Sequence, residues 1–351
     1  MHLMKQVRSR DYIHRHLRQT LPYVTPRKLA NAGLNLVERY RKTPTPASIP
    51  PFIKIEPTNL CQLRCVGCQQ SRDAFGRRKR GECQMSVEQF RRILEPLAPR
   101  LLGISLSLNG EPLMHSDLPA LIDEAHRQRV AVSFPTNLSL RLDEAALARL
   151  VLSGVDAVYV SLDGASAETY GRYRVGGDFE LVLANVKALA RTKRYLSHGR
   201  PRLVWKFVVF DHNRHEMDLV RERYRDLGFD DYEFVPDRRD PDVTAGRRTY
   251  RAKLAQAGRG CYWPWHSMII QWDGEVRPCC AVPEGFSLGN AITDGSLNVW
   301  QSTAYRELRE GFRNHDVLAG VCRECLGLGA GQGELGDRRQ DGHAAAAGMG
   351  N

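Results

Sequence analysis

The chain has 351 residues, 42% of them hydrophobic and 26% charged, with a formal net charge of +11. That length allows one large domain with a smaller one beside it, and the composition is that of an ordinary folded protein rather than a disordered or fibrous one. No apolar run reaches the length of a membrane span, and no secretory core opens the chain. Nine cysteines in that setting point to metal ligation in a reducing, cytoplasmic compartment rather than to a disulfide framework.

Residues 1–50 hold ten Lys and Arg against Asp11 and Glu38, and read as two basic helices. Thr25-Pro26 starts the second, with Thr as N-cap and Pro in the first turn. Leu29, Ala32, Leu36, Val37 and Tyr40 fall on one face and predict a stripe packed on the main domain. The basic charge has two readings: a solvated helix face, or peripheral contact with an anionic surface or a phosphorylated or lipid-linked substrate. The basic runs lack interleaved aromatics and a recognition helix, which argues against a nucleic-acid partner. Residues 43–51, rich in proline, read as a linker closing an extension over 1–51.

From residue 52 the pattern alternates. Strands are predicted at 52–56, 102–108, 130–135, 156–161, 202–210 and 231–235, and helices at 86–97, 117–128, 143–152, 178–193 and 213–227. Repeated βα units with buried-type strands define an α/β class with a parallel sheet, either open or a partial barrel. Functional groups then belong at the carboxyl ends of the strands. Residues 239–258 read as a connection, 261–325 as a cysteine-rich unit, and 326–351 as a Gly- and Ala-rich tail predicted to be disordered.

Cys61, Cys65 and Cys68 follow the first strand with C-x₃-C-x₂-C spacing. Three thiolates in one short loop suit a [4Fe–4S] cluster with one open iron, or a zinc site completed by a fourth ligand. After the second strand comes Asn109-Gly110-Glu111-Pro112; the third strand ends at Asn137, and the fourth in Ser161-Leu162-Asp163-Gly164. In this order the elements resemble the radical S-adenosylmethionine (SAM) superfamily over residues 52–325. Gly67 stands where the family often has an aromatic residue.

The resemblance implies a partial (β/α)₆ barrel over 52–238, whose three-cysteine cluster binds SAM at its open iron. An electron then cleaves SAM to a 5′-deoxyadenosyl radical that abstracts hydrogen from substrate. It implies that the Asn109–Pro112 segment meets the SAM amino group, and that Asn137, Ser161, Asp163 and Arg174 line the SAM pocket, with Lys206 a lesser candidate. A reducing partner such as a flavodoxin or ferredoxin is also implied.

Cys261, Cys279, Cys322 and Cys325 form a second set, able to close a tetrahedral shell around zinc or to ligate a second cluster fully. Their spacing resembles the twitch form of the SPASM domain, with Asp273-Gly274 and Leu288-Gly289-Asn290 in place. It implies one auxiliary [4Fe–4S] cluster. Cys279 is favoured over the adjacent Cys280 because it completes a G-x₄-C spacing. Cys83 lies outside both sets; it reads as a hydrogen donor to a substrate radical or as an incidental thiol.

A single auxiliary cluster favours dehydrogenation, or epimerisation, of a polar small molecule such as a sugar or aminocyclitol. The alternative is modification of a ribosomally made peptide, as a crosslink, thioether or epimer. A reading of another class is a metal-binding scaffold without catalysis.

Overall fold

The computed structural model describes residues 18–68, 83–236, 261–280, 282, 286–314 and 322. Six strands run parallel in chain order: β1 (Phe52–Ile55), β2 (Gly103–Leu106), β3 (Ala131–Thr136), β4 (Ala157–Ser161), β5 (Arg202–Val209) and β6 (Asp231–Pro236). Each lies within two residues of its predicted bounds. The sheet order is β6-β5-β4-β3-β2-β1-β7-β8, where β7 (Ile269–Ile270) pairs parallel with β1, and β8 (Val276–Arg277) turns back antiparallel. The cysteine-rich unit therefore joins the main sheet directly, beside the strand that leads into the cysteine loop.

The helices in chain order are α1 (Pro26–Arg41), α2 (Val87–Leu94), α3 (Leu118–Arg127), α4 (Glu144–Leu152), α5 (Ala167–Tyr173), α6 (Phe179–Tyr195), α7 (Met217–Arg223), α8 (Trp263–His266), α9 (Ser296–Trp300) and α10 (Thr303–Asn314). Several starts are fixed by side chains. Thr25 accepts from Lys28 N at 3.3 Å, Ser86 and Gln89 form a reciprocal capping box, and Asp143 accepts from Ala146 N at 2.7 Å. α5 is not among the helices predicted from the sequence; Ser166, which accepts from Thr169 N, is the cap that marks it.

Strand residues alternate between two faces. Ile53, Ile55, Ile104, Leu106, Val132 and Phe134 join the core that includes helix residues such as Phe90 and Leu121. The opposite face is mixed: Ala157, Tyr159 and Val204 form a small apolar cluster there beside polar rows. Lys54, Ser105 and Ser133 share one row by strand register, and Ser161, Lys206 and Glu233 share another. All but Ser161 are half-buried.

The expected packing of α1 is reversed. Leu29 and Leu36 are each 56% exposed and Tyr40 is 83% exposed, while Lys28, Asn31, Asn35 and Glu38 are buried. The cause is backbone satisfaction. Asn31 Nδ2 donates to the Ile49 and Arg100 carbonyls, and its Oδ1 accepts from Ile49 N. Asn35 Nδ2 donates to the Trp265 carbonyl at 2.7 Å, Glu38 accepts from Ala47 N and Ser48 N, and Lys28 Nζ donates to the Arg129 carbonyl.

The proline-rich segment after α1 is likewise no free linker. Trp265 Nε1 donates to the Thr43 carbonyl, Arg309 to that of Pro44, Gln301 to that of Pro46 and Trp300 Nε1 to that of Ser48. Arg309 is fully buried and stacks over Trp300 at 4.1 Å. Its burial lowers its pKa to about 10.

Candidate SAM and cluster site

The cysteine loop leaves the carboxyl end of β1 and is held by backbone bonds. Arg64 N donates to the Val175 carbonyl, Val66 N to that of Tyr173 and Cys68 N to that of Cys65. Gly67 has φ +69°, a left-handed conformation suited to glycine and strained for the aromatic residue common there in the family. Cys65 packs with Leu63 and Tyr173, and Cys61, Cys68 and Phe210 flank that cluster. The three cysteines thus converge on one patch beside the ends of β4 and β5. Among the described residues no three His, Cys, Asp or Glu side chains form a site for a single metal ion.

The Asn109–Pro112 loop is pressed against this one. Glu111 N donates to the Leu60 carbonyl at 2.7 Å. A Cβ on Gly110 would lie 2.0 Å from the Thr58 carbonyl oxygen, so glycine alone permits the approach. Glu56, the last residue before the cysteine loop, accepts from Asn109 N at 2.8 Å through Oε1. Its Oε2 is buried without a hydrogen-bond partner among the described residues, with the Gly110 and Trp272 amides nearby. Burial pushes the Glu56 carboxyl up to about 7.

Glu111, expected to meet the SAM amino group, is already engaged. Its Oε1 accepts from Thr136 Oγ1 at 2.6 Å and from Leu113 N, and its Oε2 accepts from Asn137 N at 2.7 Å. Its geometry is that of a brace between the loop and the end of β3. Asn137 lies beside the cysteines, with Nδ2 3.8 Å from Cys61 Sγ and Oδ1 accepting from Gln62 Nε2. Gln62 was not anticipated; its place inside the C-x₃-C spacing was the available signal.

Buried Asp163 pairs with half-buried Arg174. Arg174 Nε and Nη2 lie 2.7 and 2.6 Å from Asp163 Oδ2, while Asp163 Oδ1 accepts from Val208 N at 2.7 Å. Arg174 Nη1 is 3.7 Å from Cys65 Sγ. The guanidinium expected near the SAM carboxylate is thus committed to Asp163 and to a thiol. Ser161 is buried at the end of β4, in register with Lys206. Burial lowers the Lys206 pKa, and the Glu233 carboxylate opposes that shift.

The donor set fits an iron–sulfur group. Burial pushes the Cys61 thiol up to about 12 and raises that of Cys65, where the Arg174 charge pulls the other way. Deprotonation there is coupled to the arrival of a cationic metal centre.

Of the second set, Cys261 precedes α8 and Cys279 follows β8; both are half-buried, as is Cys322. The adjacent Cys280 is exposed. Cys325 lies outside the described residues, as do residues 237–260 and 323–351. Gly274, at φ +86°, sits where a Cβ would be 2.4 Å from Asn290 Oδ1, and Asn290 Nδ2 donates to the Asp273 carbonyl. The Asp273-Gly274 and Leu288-Gly289-Asn290 elements therefore hold each other. Cys83 is buried, with its carbonyl accepting from Thr58 Oγ1 and Asn59 N.

Residues 55–198 match the radical SAM superfamily, and residues 261–326 match the SPASM iron–sulfur cluster-binding domain. The first match contains the cysteine triplet and every candidate SAM-pocket residue except Lys206; the second contains all four cysteines of the other set. The chain belongs to the radical SAM superfamily and carries a C-terminal SPASM domain, with a SAM-binding [4Fe–4S] cluster and auxiliary cluster chemistry as its cofactors.

Among characterised relatives, the mycofactocin maturase MftC of Mycolicibacterium smegmatis is 28% identical over 311 residues, covering 77% of this chain and 74% of the relative. AlbA, the antilisterial bacteriocin subtilosin biosynthesis protein of Bacillus subtilis, is 24% identical over 319 residues, covering 79% and 67%. The crystal structure of Streptococcus suis SuiB bound to precursor peptide SuiA shares the fold, with a TM-score of 0.61 at 16% identity, covering 86% of this chain and 75% of that one. No helix among the described residues is long and apolar enough to cross a membrane.

Proposed function

We propose that this radical SAM enzyme is a maturase that modifies a peptide. The supporting observation is that the likeness to MftC and to AlbA extends over more than three quarters of the chain rather than the radical SAM domain alone. The small-molecule oxidation favoured from cysteine count alone has weaker support. The polar rows that carry Lys54, Lys206 and Glu233 suit a polar peptide segment entering at the carboxyl ends of the strands.

In this reading residues 52–238 form the catalytic core and 261–325 the auxiliary unit. Cys61, Cys65 and Cys68 hold the SAM-binding cluster. Cys261, Cys279, Cys322 and Cys325 hold an auxiliary cluster. Bound together, SAM and its cluster supply hydrogen abstraction from an unactivated C–H bond. Glu56, Gly110 and Glu111 fix the loop that faces SAM, Asn137 orients the Cys61 side of the pocket, and the Asp163–Arg174 pair orients the Cys65 side. Cys83, whose backbone closes the bridge beneath this loop, has no part in the proposed chemistry.

The test is 5′-deoxyadenosine formation by anaerobically reconstituted protein with SAM and dithionite. Short peptides encoded beside the gene are compared with sugars and aminocyclitols. The reading expects stimulation by a peptide whose mass changes in step. Stimulation by a sugar or aminocyclitol alone would sink it.

A further inference from the structure

The outward face of α1 takes no part in the proposed catalysis. At 100° per residue, Leu29, Ala30, Gly33, Leu36, Val37 and Tyr40 occupy an arc of about 120°. All six are exposed. Exposed Arg27 and Arg41 flank one side of this stripe. The only acidic residue of the helix, Glu38, points the other way and is held by Ala47 N and Ser48 N. A contiguous apolar stripe of this kind is unusual on a protein surface unless something covers it.

Its location narrows what covers it. The buried face of α1 binds the segments that enter the strands: Ile49 before β1, Arg100 before β2 and Arg129 before β3. Just ahead of α1, Tyr23 donates to Asp156 before β4 and accepts from Arg200 before β5. The stripe therefore lies at the end of the barrel opposite the cysteine loop. A substrate held there would be far from the chemistry. A second copy packed antiparallel along the stripe would bring Arg27 of each chain toward Arg41 of the other.

We propose that α1 is a docking face for an anionic lipid surface. The apolar stripe enters the headgroup boundary and the flanking arginines meet lipid phosphates. Residues 1–17 add Lys5, Arg8, Arg10 and Arg15 against Asp11 to the same attraction. Docked this way, the protein presents its catalytic mouth to the aqueous side. The inference is independent of whether the substrate is a peptide.

The test is co-sedimentation of the full-length reconstituted protein with vesicles of phosphatidylglycerol and phosphatidylethanolamine, and with vesicles of phosphatidylcholine alone. Binding to the anionic vesicles is expected, weakening as salt rises. The double variant Leu36→Ser, Tyr40→Ser should bind about tenfold more weakly, with thermal stability and SAM cleavage unchanged because both side chains are exposed. Arg27→Gln with Arg41→Gln should reduce the salt dependence. Equal binding to both vesicle types, or no effect of the double variants, would overturn the proposal. So would a concentration-dependent dimer abolished by Leu36→Ser, Tyr40→Ser, or vesicle binding that appears only after removal of residues 1–17.

Discussion

At both ends of the barrel, buried polar side chains tie irregular backbone to the sheet, and the two ends differ in what they leave over. At the amino end, Asn31, Asn35 and Glu38 engage carbonyls and amides through both donor and acceptor atoms, and apolar side chains are turned outward instead. At the carboxyl end, Glu111 and Asp163 are similarly engaged, but Glu56 Oε2 is buried with no hydrogen-bond partner among the described residues, and Arg174 lies against Cys65 of the cysteine triplet. The buried side chains of α1 close their polar groups on the backbone. A cofactor site keeps some in reserve, at a cost in stability that ligand binding offsets.

The largest separation of the two ends comes from the thiols. Cys65→Ala should abolish 5′-deoxyadenosine formation and remove the iron of one cluster, as read by iron analysis and chromatography. Retained SAM cleavage would place the site elsewhere. Next is Glu111→Ala, which strands the Thr136 hydroxyl and the Asn137 amide. It should cost about 3 kcal/mol in thermal unfolding and weaken SAM binding about tenfold; a stable variant with intact SAM affinity would deny Glu111 its bracing role. Gly110→Ala should weaken SAM binding with iron content preserved, because the new Cβ would press on the Thr58 carbonyl.

Asn35→Ala at the other end should cost about 1–2 kcal/mol and leave SAM cleavage per folded molecule unchanged. A loss of catalysis there would break the contrast between the two ends.

The smallest effect is a pH slope. Burial holds the Glu56 carboxyl at about 7, above its open-chain value of 4.5, so the folded state keeps a proton that the unfolded chain releases. Its contribution to stability is full below the open-chain value and is lost as pH rises through about 7. Glu56→Gln should flatten that decline in melting temperature. An unchanged slope would mean that Glu56 is ionised in the folded protein.

Much of the molecule was legible in the sequence. The six βα units follow from apolar runs of strand length alternating with amphipathic segments, and the cysteine spacings place both cluster units. The errors have physical causes. α1 was oriented by the rule that apolar faces turn inward, whereas the strand-entry segments needed hydrogen-bond partners more than the core needed leucines. Residues 43–51 read as a linker because prolines end helices, yet their carbonyls are acceptors for Trp265, Trp300 and Arg309, contacts between residues more than two hundred positions apart. Beyond these two, the bonds from Thr136 and Asn137 to Glu111 were not legible, because they depend on a strand that the Asn109–Pro112 motif does not contain.

The most direct measurement is low-temperature electron paramagnetic resonance of the anaerobically reduced protein, with and without SAM. The account predicts a [4Fe–4S] signal that shifts when SAM is added. That signal should be absent from the Cys61/Cys65/Cys68→Ala variant, which keeps only the auxiliary signal. A spectrum indifferent to SAM, or zinc in place of iron after reconstitution, would contradict it.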